Sequence, residues 1–218
     1  MVDYTKLNSQ QSALVTIDTQ CDTLDGQPLE IPGTSAALPN MLALLDAFRK
    51  LEWPIIHIVR IYKNDGSNVD LCRRNAVEDG AQMLLEGSSG CELAAALFPD
   101  SSVRLDYKLL LGGGVQSIGL KEVIIYKSRW GAFFNTPLYD HLEGQGIDSL
   151  IFSGCNFPNC PRTSIYEASE RDFRIALAED AISGLYPQGK RELENIGVRV
   201  IPTANILDGI KAYQTHKL

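Results

Sequence analysis

An α/β fold, a three-layer αβα sandwich around a six-stranded parallel sheet, is what this 218-residue chain predicts. Three features point to it. Short runs rich in Val, Ile, Leu and Phe recur along the chain with room for a helix between most of them. Those runs are apolar throughout rather than alternating, as in Ala13-Leu14-Val15-Thr16-Ile17, which marks strands covered on both faces. Several stop at a polar residue or a glycine (Asp18, Lys127, Gly154), and in open parallel sheets the strand ends are where ligands sit.

Taken in order, residues 1–11 are a polar lead-in, and residues 13–17 form the first strand, ending in Asp18. Residues 23–33 are loop, punctuated by Gly and Pro. A helix over 34–52 follows, with Leu38, Met41, Leu42, Leu45 and Phe48 at helical spacing on one face. The second strand is 54–59. Residues 60–120 carry the weakest pattern: a polar loop at 63–68, a helical pattern over 70–86 weakened by Asn75 and Gly80, a short helix over 91–97, and loop at Gly112-Gly113-Gly114. The triple glycine has no strand–GxGxxG–helix context and is not a phosphate-binding signature. Order returns with a strand at 122–126 ending in Lys127, a helix over 136–144, and a strand at 147–153. A helix then runs from Cys160 to about Arg171, with Asn159 as N-cap and Pro161 in the first turn, where a missing N–H costs nothing. A strand at 173–178, a helix at 190–196, a strand at 198–201 and a helix from Thr203 to about Tyr213 complete the chain. No repeat or linker divides it, so one domain over 1–218 is expected.

Composition narrows the function. The chain is 44% hydrophobic and 22% charged with a formal charge of −7, and no Lys/Arg block stands out, which argues against a nucleic-acid surface. No basic stretch followed by an apolar run opens the chain, and nothing approaches the roughly 18 apolar residues of a membrane span. Five scattered cysteines (Cys21, Cys72, Cys91, Cys155, Cys160) then read as reduced thiols, and a cytoplasmic location is expected.

The segment from Ser149 to Arg171 concentrates the chemistry. It places the Cys160 thiol at a helix N-terminus beyond a central strand, where N–H groups and the helix dipole favour a thiolate. Asp18 and Lys127 end two other strands, so all three groups can meet at one sheet edge. The carboxylate can take the thiol proton, and the ammonium can favour the thiolate and hold the carboxylate. The Asn156 and Cys160 backbone N–H groups can form an anion pocket. Arg129, Trp130 and Phe133, close to Lys127 in sequence, are candidate walls of a substrate pocket, joined by Gln20, Phe157 and Ser164. Cys155 reads as a packed strand-end thiol. His57, His141 and His216 are the only histidines and have no ligand spacing, so neither a metal nor another cofactor is expected.

These residues resemble the isochorismatase-like cysteine hydrolase family, which includes isochorismatases, nicotinamidases, N-carbamoylsarcosine amidases, ureidoacrylate amidases and biuret hydrolases. The matching motifs are Leu14-Val15-Thr16-Ile17-Asp18-Thr19-Gln20-Cys21-Asp22, Lys127-Ser128-Arg129-Trp130-Gly131-Ala132-Phe133-Phe134, and Gly154 with Cys160 six residues on and then Ser164. The resemblance implies Cys160 as nucleophile, Asp18 as general base and Lys127 as third member. It also implies a non-proline cis peptide at Cys155–Asn156 with the Asn156 and Cys160 amides as oxyanion hole, a small-molecule substrate, and a homo-oligomer, dimer or tetramer. The chain departs from the family pattern at Phe157-Pro158 and Pro161, which bears on pocket shape. The loop after the second strand lacks the Asp-x-His of nicotinamidases. The leading expectation is hydrolysis of a small amide or ureide C–N bond through a Cys160 thioester. Cleavage of an isochorismate-type vinyl ether and a non-catalytic ligand-binding role are the alternatives.

Overall fold

The computed structural model describes residues 2–215. Its spine is a seven-stranded sheet in the order β3-β4-β2-β1-β5-β6-β7, formed by β1 (Ser12–Ile17), β2 (Ile55–Val59), β3 (Val115–Gly119), β4 (Glu122–Tyr126), β5 (Ser149–Gly154), β6 (Arg174–Ile182) and β7 (Arg199–Ile201). All neighbours are parallel except β3 and β4. Helices α1 (Thr34–Lys50) and α7 (Thr203–Thr215) cover one face; α4 (Leu138–Glu143), α5 (Cys160–Ser169) and α6 (Pro187–Asn195) cover the other.

The alternation of side chains along β1 explains why the strand is apolar at nearly every position. Ala13, Val15 and Ile17 join the layer containing Leu138, Leu142, Ile165 and Leu193, while Leu14 joins Met41, Leu44, Leu45, Phe48, Ile206 and Ile210 on the opposite face. A buried Leu or Phe in such a layer contributes about 2 kcal/mol. A third cluster, with Val59, Ile61, Tyr62, Val69, Leu84, Leu93, Leu105 and Leu110, closes the end of the molecule built from the weakly patterned region.

That region holds the departures from the sequence reading. The sheet has seven strands, not six, because Val115–Gly119 pairs antiparallel with β4 at the edge. Its VQSIG sequence is half-exposed and carries polar residues, so it lacks the apolar run by which buried strands are read. Helix α2 spans Leu71–Glu78 instead of 70–86; Asp79 leaves helical geometry and Gly80 follows at φ +94°. The stretch 91–97 is not one helix. Two 3₁₀ turns, Ser89–Cys91 and Ala95–Leu97, flank extended backbone in which Leu93 bridges to Gln20. Helix α3 (Tyr107–Leu111) begins where the Asp106 carboxylate accepts the Leu109 N–H at 2.9 Å. Helix α6 begins at Pro187, earlier than its sequence suggests. Gly189 makes that possible, since a Cβ there would lie 2.4 Å from the Phe157 ring.

The topology positions the site. From β1 the chain moves to β2 on one side, and from β5 it moves to β6 on the other, so the loops after β1 and β5 diverge and open a crevice at their carboxyl ends. The two strands pair from Ser12↔Ser149 to Ile17↔Gly154. Gly154 is required there: its φ is +118°, and a Cβ would fall 2.2 Å from the Ile17 carbonyl oxygen.

Candidate active site

Asp18 follows β1 immediately, Lys127 follows β4, and Cys160 begins α5, so the crevice collects the three residues that the sequence placed on one sheet edge. Asp18 adopts φ +49°, an unfavourable conformation for a non-glycine residue, and its N–H is held by the Ile58 carbonyl at 2.9 Å. Lys127 is fully buried, and its Nζ donates to Asp18 Oδ2 at 2.7 Å and to the Arg129 carbonyl at 3.3 Å. Removing either partner of such a buried pair costs roughly 3–5 kcal/mol. Asp18 Oδ1 is buried and accepts no hydrogen bond from any described residue.

Cys160 is 4% exposed and shares a small cavity with Asp18, Thr23, Leu29, Ile31, Arg60, Arg73, Leu84, Cys155, Asn156 and Asn159. Burial pushes its thiol above the ordinary value, and the Asp18 charge adds to the rise; Lys127 and Arg60 pull it back only in part. The sulfur lies in the same cavity as the Asp18 side chain. Cys155 is fully buried, with its Sγ donating to the Asp18 carbonyl at 3.0 Å, and burial raises it to about 12, so it is the packed thiol expected. The Cys155–Asn156 peptide is cis. The Asn156 and Cys160 N–H groups donate to no acceptor among the described residues. Asn159 occupies the N-cap position, but at φ −113° and ψ −103° its side chain makes no capping bond; it lines the cavity instead.

The other pocket candidates lie elsewhere. The Gln20 side chain is buried and ties β1 to the following loops, accepting from Arg60 N–H at 2.8 Å and donating to the Arg60 carbonyl at 2.8 Å. Ser164 Oγ donates to the Cys160 carbonyl at 2.7 Å and accepts the Ala132 N–H at 3.0 Å, fastening the 127–134 segment to α5. Phe133 packs on Phe173, and Phe157 on Tyr186, both in the core. Arg129 is exposed and its Nη1 donates to the carbonyls of Ser128 and Asn68. Trp130 does not line the cavity; it stands behind Arg73, whose guanidinium lies 5.3 Å from its ring centroid.

Sequence reading missed the residues that do form the wall. Arg60, 1% exposed, donates from Nη1 to Asp70 Oδ2 at 2.5 Å and from Nη2 to the Arg129 carbonyl at 2.7 Å, with Cys160 Sγ 3.8 Å from Nη2. Its Nε has no partner among the described residues. Tyr62 donates to Asp70 Oδ2 at 2.6 Å, and Arg73 Nη1 donates to the same oxygen at 3.2 Å and to Tyr62 Oη at 2.9 Å. Arg60 ends an apolar strand directly and could have been read by the rule that singled out Asp18. Leu29 and Ile31 come from the loop after β1. Leu84 comes from the loop after α2, where its N–H donates to Asp22 Oδ2 at 2.7 Å.

His57 is buried in β2 between Thr16 Oγ1 and Glu122 Oε1, each 2.8 Å away, as a satisfied core histidine. His141 meets Gln145 on α4, and His216 lies outside the described residues. No group of three or more His, Cys, Asp or Glu among the described residues is arranged to hold a metal ion.

A family model, the isochorismatase domain, matches residues 12–105 and 114–204, most of the chain. The chain belongs to the isochorismatase family. A probable inactive nicotinamidase of Arabidopsis thaliana is 27% identical over 95% of this chain and 94% of its own length. A maleamate amidohydrolase of Pseudomonas putida is 26% identical over 79% and 72%. Among solved structures, an isochorismatase family protein from Desulfovibrio vulgaris superposes with a TM-score of 0.77 at 27% identity, covering 92% of this chain and 98% of that one. In this isochorismatase-family chain, Asp18 and Lys127 are ion-paired, and Cys160 shares the crevice cavity with Asp18.

Proposed function

We propose that the protein is a cysteine-dependent amidohydrolase that cleaves the C–N bond of a small amide or ureide through a Cys160 thioester. The observation that carries this reading is the state of Asp18: one carboxylate oxygen is held by Lys127, and the other is buried, without a hydrogen-bond partner among the described residues, and shares a cavity with the Cys160 side chain. A buried acceptor left unpaired costs stability, and a proton to accept during the reaction is a reason to keep it.

Cys160 Sγ attacks the carbonyl carbon as its proton passes to Asp18 Oδ1. The oxyanion forms near the Asn156 and Cys160 N–H groups, which are free to donate to it. The C–N bond then breaks, the amine leaves with the proton from Asp18, and the acyl group remains on sulfur. Water, deprotonated by Asp18, attacks the thioester, the C–S bond breaks, and the thiol regains its proton. Lys127 keeps the carboxylate oriented through the cycle. No step draws on a cofactor. Support from relatives comes from their names: besides the maleamate amidohydrolase, they include an N-carbamoylsarcosine amidase of Arthrobacter and a ureidoacrylate amidohydrolase of Agrobacterium fabrum.

A reducing compartment such as the cytoplasm suits the five free cysteines. A dimer or tetramer would cover some of the exposed apolar side chains, among them Leu71, Leu120 and Phe134.

The test is a screen of small amides and ureides, nicotinamide included, for ammonia release, with acid-quenched samples digested and weighed. An acyl group on the Cys160 peptide during turnover is expected. Turnover without that adduct at any time point, when the hydrolysis step is slowed by low pH, counts against the thioester route.

A further inference from the structure

Resting on that reading, we propose that the substrate carries a carboxylate besides its scissile amide or ureide, and that Arg73, held by Trp130, Tyr62 and Asp70, is the residue that binds it. The charge around the crevice is uneven. Lys127, Arg60 and Arg73 are cationic, and in their ion pairs they meet only Asp18 and Asp70, which leaves one positive charge over among these five side chains. Lys127 spends its charge on Asp18, and Arg60 spends most of its donors on Asp70 and two backbone carbonyls. Arg73 is different. Its hydrogen bonds to the protein use Nη1 alone, so Nη2 and Nε donate to nothing among the described residues, although the side chain lines the cavity.

The guanidinium is fixed rather than loose. The Trp130 ring lies 5.3 Å from its central carbon, and Tyr62 Oη and Asp70 Oδ2 hold one nitrogen at 2.9 and 3.2 Å. A planar fork anchored on one nitrogen presents its remaining N–H groups in a set direction, which suits two-point recognition of a carboxylate. Arg60 supports this as a positioning residue. It holds Asp70, and therefore Arg73, and its unpartnered Nε adds positive potential to the same wall. The cavity also has apolar walls at Leu29, Ile31 and Leu84, surfaces against which a short carbon linker between carboxylate and amide can pack.

The experiment compares two pairs of probes on the wild-type protein, Arg73→Gln and Arg73→Lys. The first pair is succinamate, a carboxylate-bearing amide, against butanamide, its uncharged counterpart, read as kcat/KM. The second is iodoacetate against iodoacetamide, read as the alkylation rate of the Cys160 peptide by mass spectrometry, which needs no turnover. The wild type is expected to favour succinamate, with Arg73→Gln reducing that preference about 10- to 100-fold, mainly through KM, and Arg73→Lys restoring part of it. The iodoacetate-to-iodoacetamide ratio at Cys160 is expected to fall by a similar factor in Arg73→Gln. If that alkylation ratio is the same in wild type and Arg73→Gln, the carboxylate assignment is wrong even where amides are hydrolysed. If neither amide nor any other in the screen is hydrolysed but the ratio shifts as described, the anion site stands and the hydrolase reading is the one that fails.

Discussion

Asp18 is where the residue-scale chemistry is decided, because it meets two opposite demands. In the proposed mechanism it accepts the Cys160 proton, yet its negative charge, after burial itself, is what pushes that thiol above its ordinary value. The consequence can be measured. In the wild type, alkylation of Cys160 by iodoacetamide should be slow at pH 7 and still rising as pH passes the ordinary thiol range. In Asp18→Asn the carboxylate charge is gone while Lys127 and Arg60 remain, so the midpoint of the pH–rate profile should move down and the rate at pH 8 should increase. A wild-type midpoint below that of a free thiol would mean a preformed thiolate and would reverse the roles assigned to the pair. Residues with opposite or hydrogen-ready chemistry at strand ends were legible in sequence, as Asp18, Lys127 and Cys160 show. Arg60 ends a strand in the same way and was open to the same rule. Arg73 was not, because what distinguishes it is which of its N–H groups remain uncommitted, and that depends on Asp70, Tyr62 and Trp130, brought to it only by the fold.

At the scale of elements, the crevice depends on strands staying in register, and one buried polar network links three of them to a helix. Thr16 on β1, His57 on β2 and Glu122 on β4 are bonded in series, and Arg49 of α1 grips Glu122 from Nε at 2.9 Å and from Nη2 at 2.6 Å. Burial alone would raise the Glu122 carboxyl, but the Arg49 and His57 hydrogen bonds outweigh it and hold the group near a pKa of about 2. Because the folded value is depressed, the stability it contributes is fully present above the unfolded value near 4.5 and is lost as pH falls from there through about 2. Glu122→Gln should therefore lose about 3 kcal/mol in urea unfolding at pH 7, with the gap to wild type narrowing as pH is lowered towards 2. A gap that is unchanged across that range would assign the loss to packing instead. The apolar strands on this network were read from sequence with errors of a residue or so at most ends. The edge strand β3 was not, since a half-exposed strand with Gln116 and Ser117 in it shares its composition with loops.

For the whole molecule, the doubly wound sheet turns distant segments into one site. Residues 18, 127 and 160 are brought to the crevice by strand order alone, and so the alternation of apolar runs was enough to anticipate their meeting. The cover over the crevice has a different origin. Leu29, Ile31, Leu84 and Arg73 come from loops and the short helix α2, which are held by individual contacts such as Asp22 to the Leu84 N–H and by the third hydrophobic cluster rather than by strand pairing. Contacts of that kind leave no periodic trace, which is why the meeting of residues 18, 127 and 160 could be read in advance and the wall of the cavity could not. The most direct check on the central assignment is turnover by Cys160→Ala on an amide that the wild type hydrolyses, with thermal unfolding followed alongside. A fall in kcat of at least about 10³-fold with the unfolding temperature nearly unchanged is expected; ammonia release from the alanine variant at the wild-type rate would contradict it.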